Sequence, residues 1–383
     1  FYIADFVMAI PSGILLKKVG FKRGIMYGFM LTALGAFLFV PAALVRQFEI
    51  FLIGLFSIGT GLAILQTAAN PYVTIIGPIE SAARRISIMG ICNKFAGIIS
   101  PLIFAALILK ADDSELFSLI ESGTLDAITK SAMLDELIQR VIVPYAILGG
   151  LLVLAGIGIR YSILPEINTD EQNATDEKEN GHNSKKSIFD FPYLILGALA
   201  IFFHVGTQVI AIDTIINYAN SMGIDLLEAK VFPSYTLACT MIGYVLGILI
   251  IPKYVSQTKA LIICTILGLL LSFGVVFADF NVTLFGHQAN ISIFLLCALG
   301  FPNALIYAGI WPLSIHGLGK FTKTGSSLLI MGLCGNAILP LIYGYFAEVY
   351  DLRIGYWILI PCYLYLIFFA TKGHKINSWK RNY

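Results

Sequence analysis

Runs of about 20 apolar residues recur along this chain, and no other feature restricts its fold as much. The stretch 86–109, ISIMGICNKFAGIISPLIFAALIL, is one of them, and Lys94 is its only charged residue. A helix needs about 20 residues to cross the roughly 30 Å hydrocarbon layer of a bilayer. The pattern predicts eleven spans, at 1–17, 24–45, 50–77, 86–110, 142–163, 190–218, 226–251, 257–279, 290–316, 324–348 and 352–371. Of the 383 residues, 58% are hydrophobic and 13% charged, whereas a soluble domain carries about 25% charge. The fold class expected is all-α integral membrane, with the lipid bilayer as solvent.

Charge orients the spans. Eighteen Lys and Arg residues fall in the connections on one side, beginning with Lys17, Lys18, Lys22 and Arg23 and ending with Lys380 and Arg381. The other side has six: Arg46, Lys110, Lys130, Arg140, Lys230 and Arg353. Basic residues accumulate in cytoplasmic loops, so the C-terminus is expected in the cytoplasm. The net charge of +2 says little beside this distribution. The six cysteines are scattered through apolar segments without a CxxC pair, and read as small apolar fillers. No His/Cys cluster, phosphate loop or nucleophile elbow occurs. An enzyme, a cofactor, a metal and a nucleic-acid partner are therefore not expected.

Two connections are long. Residues 111–141 are acidic and carry apolar residues at helical spacing, which predicts short surface helices. Residues 164–189 are mostly polar, and the stretch 164–187 lacks aromatic residues. That segment reads as a flexible cytoplasmic linker between a bundle at 1–163 and a bundle at 190–383. The halves resemble each other: IMGIC at 88–92 recurs as IMGLC at 330–334, PLI follows both, and Asn70-Pro71 is answered by Pro302-Asn303. Repeated halves mark secondary transporters. Matching them leaves the first half one span short at its start, so a first helix is expected to lie outside this chain.

Ionisable side chains at membrane depth cost roughly 2.5–3.5 kcal/mol each on insertion scales and face cavities or partners. Asp5, Lys94 and Asp213 are such residues, with His204 nearer a span end. Polar side chains also align on helix faces: Gln66, Asn70 and Thr74 in one span, Asn303, Tyr307, Trp311 and Ser314 in another, and His204 with Gln208 in a third. Asn93 and Asn336 extend the set. Each has a bland alternative. A lone amide in a membrane helix commonly glues helices together, Tyr307 and Trp311 fit plain packing, and the Lys94 stem is long enough to snorkel. The coincidence of amides, carboxylates and aromatic rings on central stripes favours a site for sugar hydroxyls and the apolar face of a pyranose. Its candidate substrate-binding residues are Gln66, Asn70, Asn93, Gln208, Asn303, Tyr307, Trp311 and Asn336.

Two motifs carry a family resemblance. GILLKKVGFKRG at 13–24 resembles the loop after the second helix of the major facilitator superfamily, with Gly13, Lys18, Gly20, Lys22 and Arg23 matching and Lys17 standing where that pattern has an acid. LQTAANPYVTIIGPIESAARRISIMGICNKFAG at 65–97 resembles the fourth and fifth helices of its fucose–galactose–glucose cation symporter family. HVGTQ at 204–208 and KTGSS at 323–327 are similar to that family's seventh and eleventh helices. The resemblance implies the major facilitator fold, two six-helix bundles with the first helix missing, in a bacterial inner membrane. It also implies a gating loop of Gly13, Lys18, Gly20, Lys22, Arg23, Arg84 and Arg85. In fucose permeases a glutamate that binds sugar and couples protons precedes T-A-A-N-P; here it is Gln66. Their sugar-binding asparagine matches Asn93, and a glutamine one turn earlier is Gly90.

The function expected is cation-coupled symport of a glucose- or galactose-like hexose by alternating access, with H+ or Na+ as coupling ion and a monomer as working unit. Lys94 is expected to act in coupling with a carboxylate, either Asp213 or one in the absent helix. Two alternatives stay open: a sugar-binding paralogue or sensor that does not transport, and a facilitator for another small metabolite.

Overall fold

The computed structural model describes residues 2–108, 135, 138–167 and 187–379. Of the segment 111–141, expected to hold surface helices, all but 135 and 138–141 fall outside the described residues, as does most of the expected linker. The first half contains α1 (Tyr2–Val19), α2 (Phe21–Val45), α3 (Phe48–Ile75), α4 (Ala82–Ile108) and α5 (Ile142–Tyr161). The second half begins with α6 (Pro192–Asp213), the short α7 (Ile215–Ser221) and α8 (Leu226–Ala229), then α9 (Phe232–Ile250) and α10 (Gln257–Phe277). After a hairpin of β1 (Asn281–Leu284) and β2 (His287–Asn290) come α11 (Ile291–Ala298), α12 (Gly300–Ile315), α13 (Thr322–Met331), α14 (Gly335–Val349), α15 (Leu352–Gly355) and α16 (Leu359–Thr371).

Among the described residues nine helices are long and apolar enough to cross a membrane. The two further spans expected from sequence fall on helices as well: α1, with Asp5, Lys17 and Lys18, and α4, with Arg84, Arg85 and Lys94. Large apolar side chains such as Leu44, Ile53, Leu154, Leu249 and Leu341 are exposed around the outside. Such a surface is stable only against lipid or another protein.

Without a hydrophobic force between helices in lipid, close backbone approach by small residues sets the packing. α2 and α3 meet this way: a Cβ on Gly35 would lie 2.7 Å from the Gly54 carbonyl oxygen, and one on Gly61 2.7 Å from the Thr32 nitrogen. α6 and α14 meet at Gly335, against the backbone of Phe202. Local signals set the ends. Gly20, at φ +83, turns the chain into α2, Ser256 accepts a hydrogen bond from the Lys259 amide at the start of α10, and Pro192 opens α6, where its missing N–H costs nothing.

The hairpin was not expected from sequence. Phe285 and Gly286, at φ 54 and 83, make the two-residue turn whose twist suits paired strands, and Leu284 pairs with His287. It is tied down at the ends of the helices. His287 Nδ1 lies 2.6 Å from Glu228 Oε1. Asn290 donates to Asp279 at 2.8 Å, and Arg353 Nη1 is 3.0 Å from the same carboxylate. Those contacts, Asn290 first and then Arg353, hold the Asp279 carboxyl below its ordinary range. A depressed carboxylate stabilises the fold above its unfolded pKa of about 4, and that support is lost as pH falls through the folded value. Asp279→Asn is therefore expected to flatten the acid limb: the drop in melting temperature from pH 7 to pH 3 should be smaller than in the unsubstituted protein. An identical drop would refute the assignment.

Candidate functional site

The two halves meet near the ends that carry the basic residues. Gly13 of α1 lies against α13, where a Cβ would sit 3.1 Å from the Lys323 carbonyl oxygen and 3.1 Å from Ser327 Cβ. The Lys323 ammonium, on a residue only 6% exposed, sits 5.4 Å from the centre of the Phe21 ring, a cation–π contact. Gln257 accepts from the Ala83 amide at 3.3 Å. Gly90 of α4 receives the Tyr244 ring of α9, 2.5 Å from where a Cβ would be. Finally, Asn70 Nδ2 donates to the Tyr307 hydroxyl at 3.1 Å, joining α3 to α12.

At 1.5 Å per residue, Asn70 lies about 8 Å from the basic end of its helix and Tyr307 about 12 Å. Their hydrogen bond forms a floor. Lys94 and His204 lie farther in, each about 18 Å along its helix from the same end. Asp213 closes α6, about 32 Å along it. Asn93 and Lys94 share the face of α4 that carries Gly90 one turn below, so both belong to the side turned toward α9. Lys94 is within electrostatic reach of Asp213 and of His204, yet among the described residues no carboxylate makes an ion pair with it. The His204 ring is 6.1 Å from that of Tyr307, and Tyr307 is 6.0 Å from Trp311.

Several side chains lack partners. Both His204 nitrogens, the Trp311 indole nitrogen and Asn303 Nδ2 are buried without a hydrogen bond. Unpaired buried polar atoms are costly and call for an explanation, such as a ligand or water. The Asn70–Tyr307 bond, the Lys94 ammonium and the buried rings of His204 and Trp311 thus form one polar cluster at the seam.

The expected site residues do not all meet there. Asn70 and Tyr307 meet, with Lys94 deeper in and Asn93 on the same face of α4, whereas Asp213 is exposed at the far end of α6. Asn303 lies inside the second half, 1% exposed, where its Oδ1 accepts from the Tyr363 hydroxyl of α16 at 2.7 Å. Trp311 is likewise fully buried. Gln66, Gln208 and Asn336 are half-buried. In the expected gating loop, Lys18, Arg23 and Arg84 are exposed. Arg85 instead ties off α3: its guanidinium donates to the carbonyls of Val73 and Thr74 at 2.8 and 2.6 Å and to Ser81 Oγ at 2.6 Å, satisfying carbonyls a helix end leaves open.

Glu166 was missed by the sequence reading. It follows α5, in the segment read as linker, and its carboxylate accepts from the Phe21 amide at 2.5 Å and the Lys22 amide at 3.2 Å. A carboxylate at a helix start complements the dipole. Lys22 Nζ donates to the Ser162 carbonyl at 2.6 Å, and Tyr72 to the Pro165 carbonyl at 2.9 Å. The loop whose acid is replaced by Lys17 is thus braced by an acid from elsewhere. The described edge of the linker, 164–167, is anchored to α2 and α3.

Comparison with known proteins agrees with this geometry. A sequence profile of the Major Facilitator Superfamily matches residues 1–337. The chain is 31% identical over 380 residues to a glucose/galactose transporter of Brucella abortus biovar 1 (strain 9-941), covering 98% of this chain and 84% of the relative. It is also 31% identical over 351 residues to the L-fucose-proton symporter of Escherichia coli (strain K12), covering 91% and 77%. Among solved structures, the transporter FucP in its outward conformation superposes with a TM-score of 0.81 at 27% identity, covering 99% of this chain and 88% of that one.

Proposed function

Because the chain belongs to the major facilitator superfamily, whose matched members are transporters rather than enzymes, we propose that it is a cation-coupled symporter for a glucose- or galactose-like hexose. The working unit is a monomer in a bacterial inner membrane, with its C-terminus in the cytoplasm. The bodies that rock against each other are residues 1–163 and 190–383, joined by the segment 164–189. With the basic end cytoplasmic, the contacts at Gly13, Gly90 and the Asn70–Tyr307 hydrogen bond close the inner side and leave the polar cluster facing outward, as in the matched FucP structure.

The observation that carries the reading is the Asn70–Tyr307 hydrogen bond between the halves, directly beneath the Lys94 level. A sugar hydroxyl that takes either partner competes with a bond holding the inner side shut. Differential contact of this kind is what lets a ligand shift a conformational equilibrium. Lys94 and Asp213 are the coupling pair. The coupling ion, H+ or Na+, is drawn to Asp213, an exposed carboxylate at the end of α6 that interacts electrostatically with the Lys94 ammonium.

Uptake of radiolabelled glucose and galactose into proteoliposomes under an imposed proton or sodium gradient tests this. Accumulation driven by one gradient is expected, with Asp213→Asn retaining exchange of sugar across the membrane but losing accumulation. Sugar binding without accumulation in the unsubstituted protein would instead favour a sensor.

A further inference from the structure

A lysine of one half rests on an aromatic ring of the other. The Lys323 ammonium lies 5.4 Å from the centre of the Phe21 ring. Lys323 is the second residue of α13 and is 6% exposed, while Phe21 opens α2 and is fully buried. An ammonium within about 6 Å of a ring centre is drawn to the negative face of the ring, most strongly where water is excluded.

The two partners are held differently. The Phe21 ring packs with Leu16 of α1 and with Ala68 and Tyr72 of α3, and Leu164 packs against the same cluster. The Tyr72 ring is 6.3 Å away at 60°, and its hydroxyl donates to the Pro165 carbonyl. The Phe21 amide donates to the Glu166 carboxylate. That carboxylate also offsets the positive start of α2, which would otherwise oppose a cation placed over the first turn. The ring is thus fixed within the first half, with the start of the linker segment as part of its seat. Lys323 reaches it from the second half on a flexible four-carbon stem.

When the halves part at the basic end, the ammonium must leave the ring. Charge–quadrupole attraction falls off more steeply with distance than attraction between two charges. The contact therefore stabilises the closed seam and little beyond it. An interaction made in one state and absent from the other shifts the balance between them by the whole of its free energy.

We propose that Lys323 and Phe21 form a releasable cation–π latch that sets the balance between the closed and open states of the basic end, with residues 164–166 holding the ring in place. The proposal rests on the transport reading and names a contact that governs its conformational equilibrium.

The test uses the full chain carrying Ser87→Cys at the buried seam, labelled from the basic side and corrected for the six native cysteines. Phe21 is replaced by phenylalanines bearing one, two or three ring fluorines, which drain the negative face of the ring and leave its size nearly unchanged. The labelling rate is expected to rise with each fluorine, reaching about ten-fold over the unsubstituted ring. Lys323→Met should label as fast as the trifluorinated protein and lose the dependence on fluorine, whereas Lys323→Arg should keep it. A rate that is flat across the fluorine series, or a dependence that survives Lys323→Met, overturns the latch. Uptake of glucose and galactose by the same preparations separates the two readings. Gradient-driven accumulation with a flat series removes the latch and leaves the transport reading standing. A graded series without accumulation or exchange supports the latch and removes the transport reading. The fluorinated proteins decide the matter even where Lys323→Met fails to fold.

Discussion

Gly13→Val is expected to reduce gradient-driven uptake by at least ten-fold and to open the basic end of the molecule. A Cβ at this position would lie 1.9 Å from Ser327 Oγ, 3.1 Å from Ser327 Cβ and 3.1 Å from the Lys323 carbonyl oxygen. Rotating the serine relieves the first contact only. The other two belong to backbone and Cβ, and the branched valine adds two methyl groups beyond them. Overpacking of this kind costs typically 1–3 kcal/mol, and each 1.4 kcal/mol is ten-fold in a population. The strain exists only while α1 and α13 touch, so the substitution penalises one conformation and spares the other. A cysteine placed at Ser87, fully buried at this seam, should then label faster from the basic side. Gly150→Val, at a site where a Cβ meets nothing within 4 Å, is the control. Uptake and labelling like those of the unsubstituted protein would mean that α1 and α13 do not gate the basic end.

The second large effect is on folding. Gly335→Ala is expected to destabilise the second half by about 2–3 kcal/mol, in the upper part of the range for overpacked interiors. Its Cβ would lie 2.0 Å from the Phe202 carbonyl oxygen and 2.8 Å from the carbonyl carbon. Both are backbone atoms of α6 and no rotamer moves them, so the helices must separate. Gly344→Ala, on the same helix with open space at its Cβ, has the opposite sign. Ala is the better helix former by about 1 kcal/mol. Thermal melting in detergent and the yield of monodisperse protein check the pair. A Gly335→Ala protein as stable as Gly344→Ala would show that α6 and α14 do not depend on this approach.

The two substitutions separate two roles of the same residue type. At Gly13 the neighbour lies in the other half, and the clash is felt in one state of the transport cycle. At Gly335 the neighbour lies in the same half, and the clash is felt in every folded state. Nothing in GILLKK or LCGNAI distinguishes them, because the difference lies in what packs opposite.

Much of the membrane architecture was legible in the sequence because hydropathy acts locally. A run of apolar residues must be helical in lipid, where each backbone group needs its own partner, and neighbours need not be known. Lys94 stood out for the same reason: its cost comes from the bilayer itself. Motif residues also located Asn70 and the seam glycine Gly13. The hairpin at 281–290 escaped because two four-residue strands carry too little alternation to read, and its turn depends on the positive φ of Phe285 as well as Gly286.

Other assignments needed the folded chain. Asn303 and Tyr307 share a helix stripe, but one is bonded to Tyr363 within the second half and the other to Asn70 across the seam. A stripe gives a direction around one helix axis and not the identity of the neighbour. Glu166 braces an amide 145 residues away in sequence, a distance no spacing rule bridges. Arg85 looked like one more basic loop residue and proved to cap the carbonyls of α3. The sequence by itself determined that this chain lives in a bilayer as a bundle of helices, and which buried side chains would be expensive there. Only the tertiary structure decided which of those side chains face each other, because hydrogen bonds and close contacts are properties of pairs.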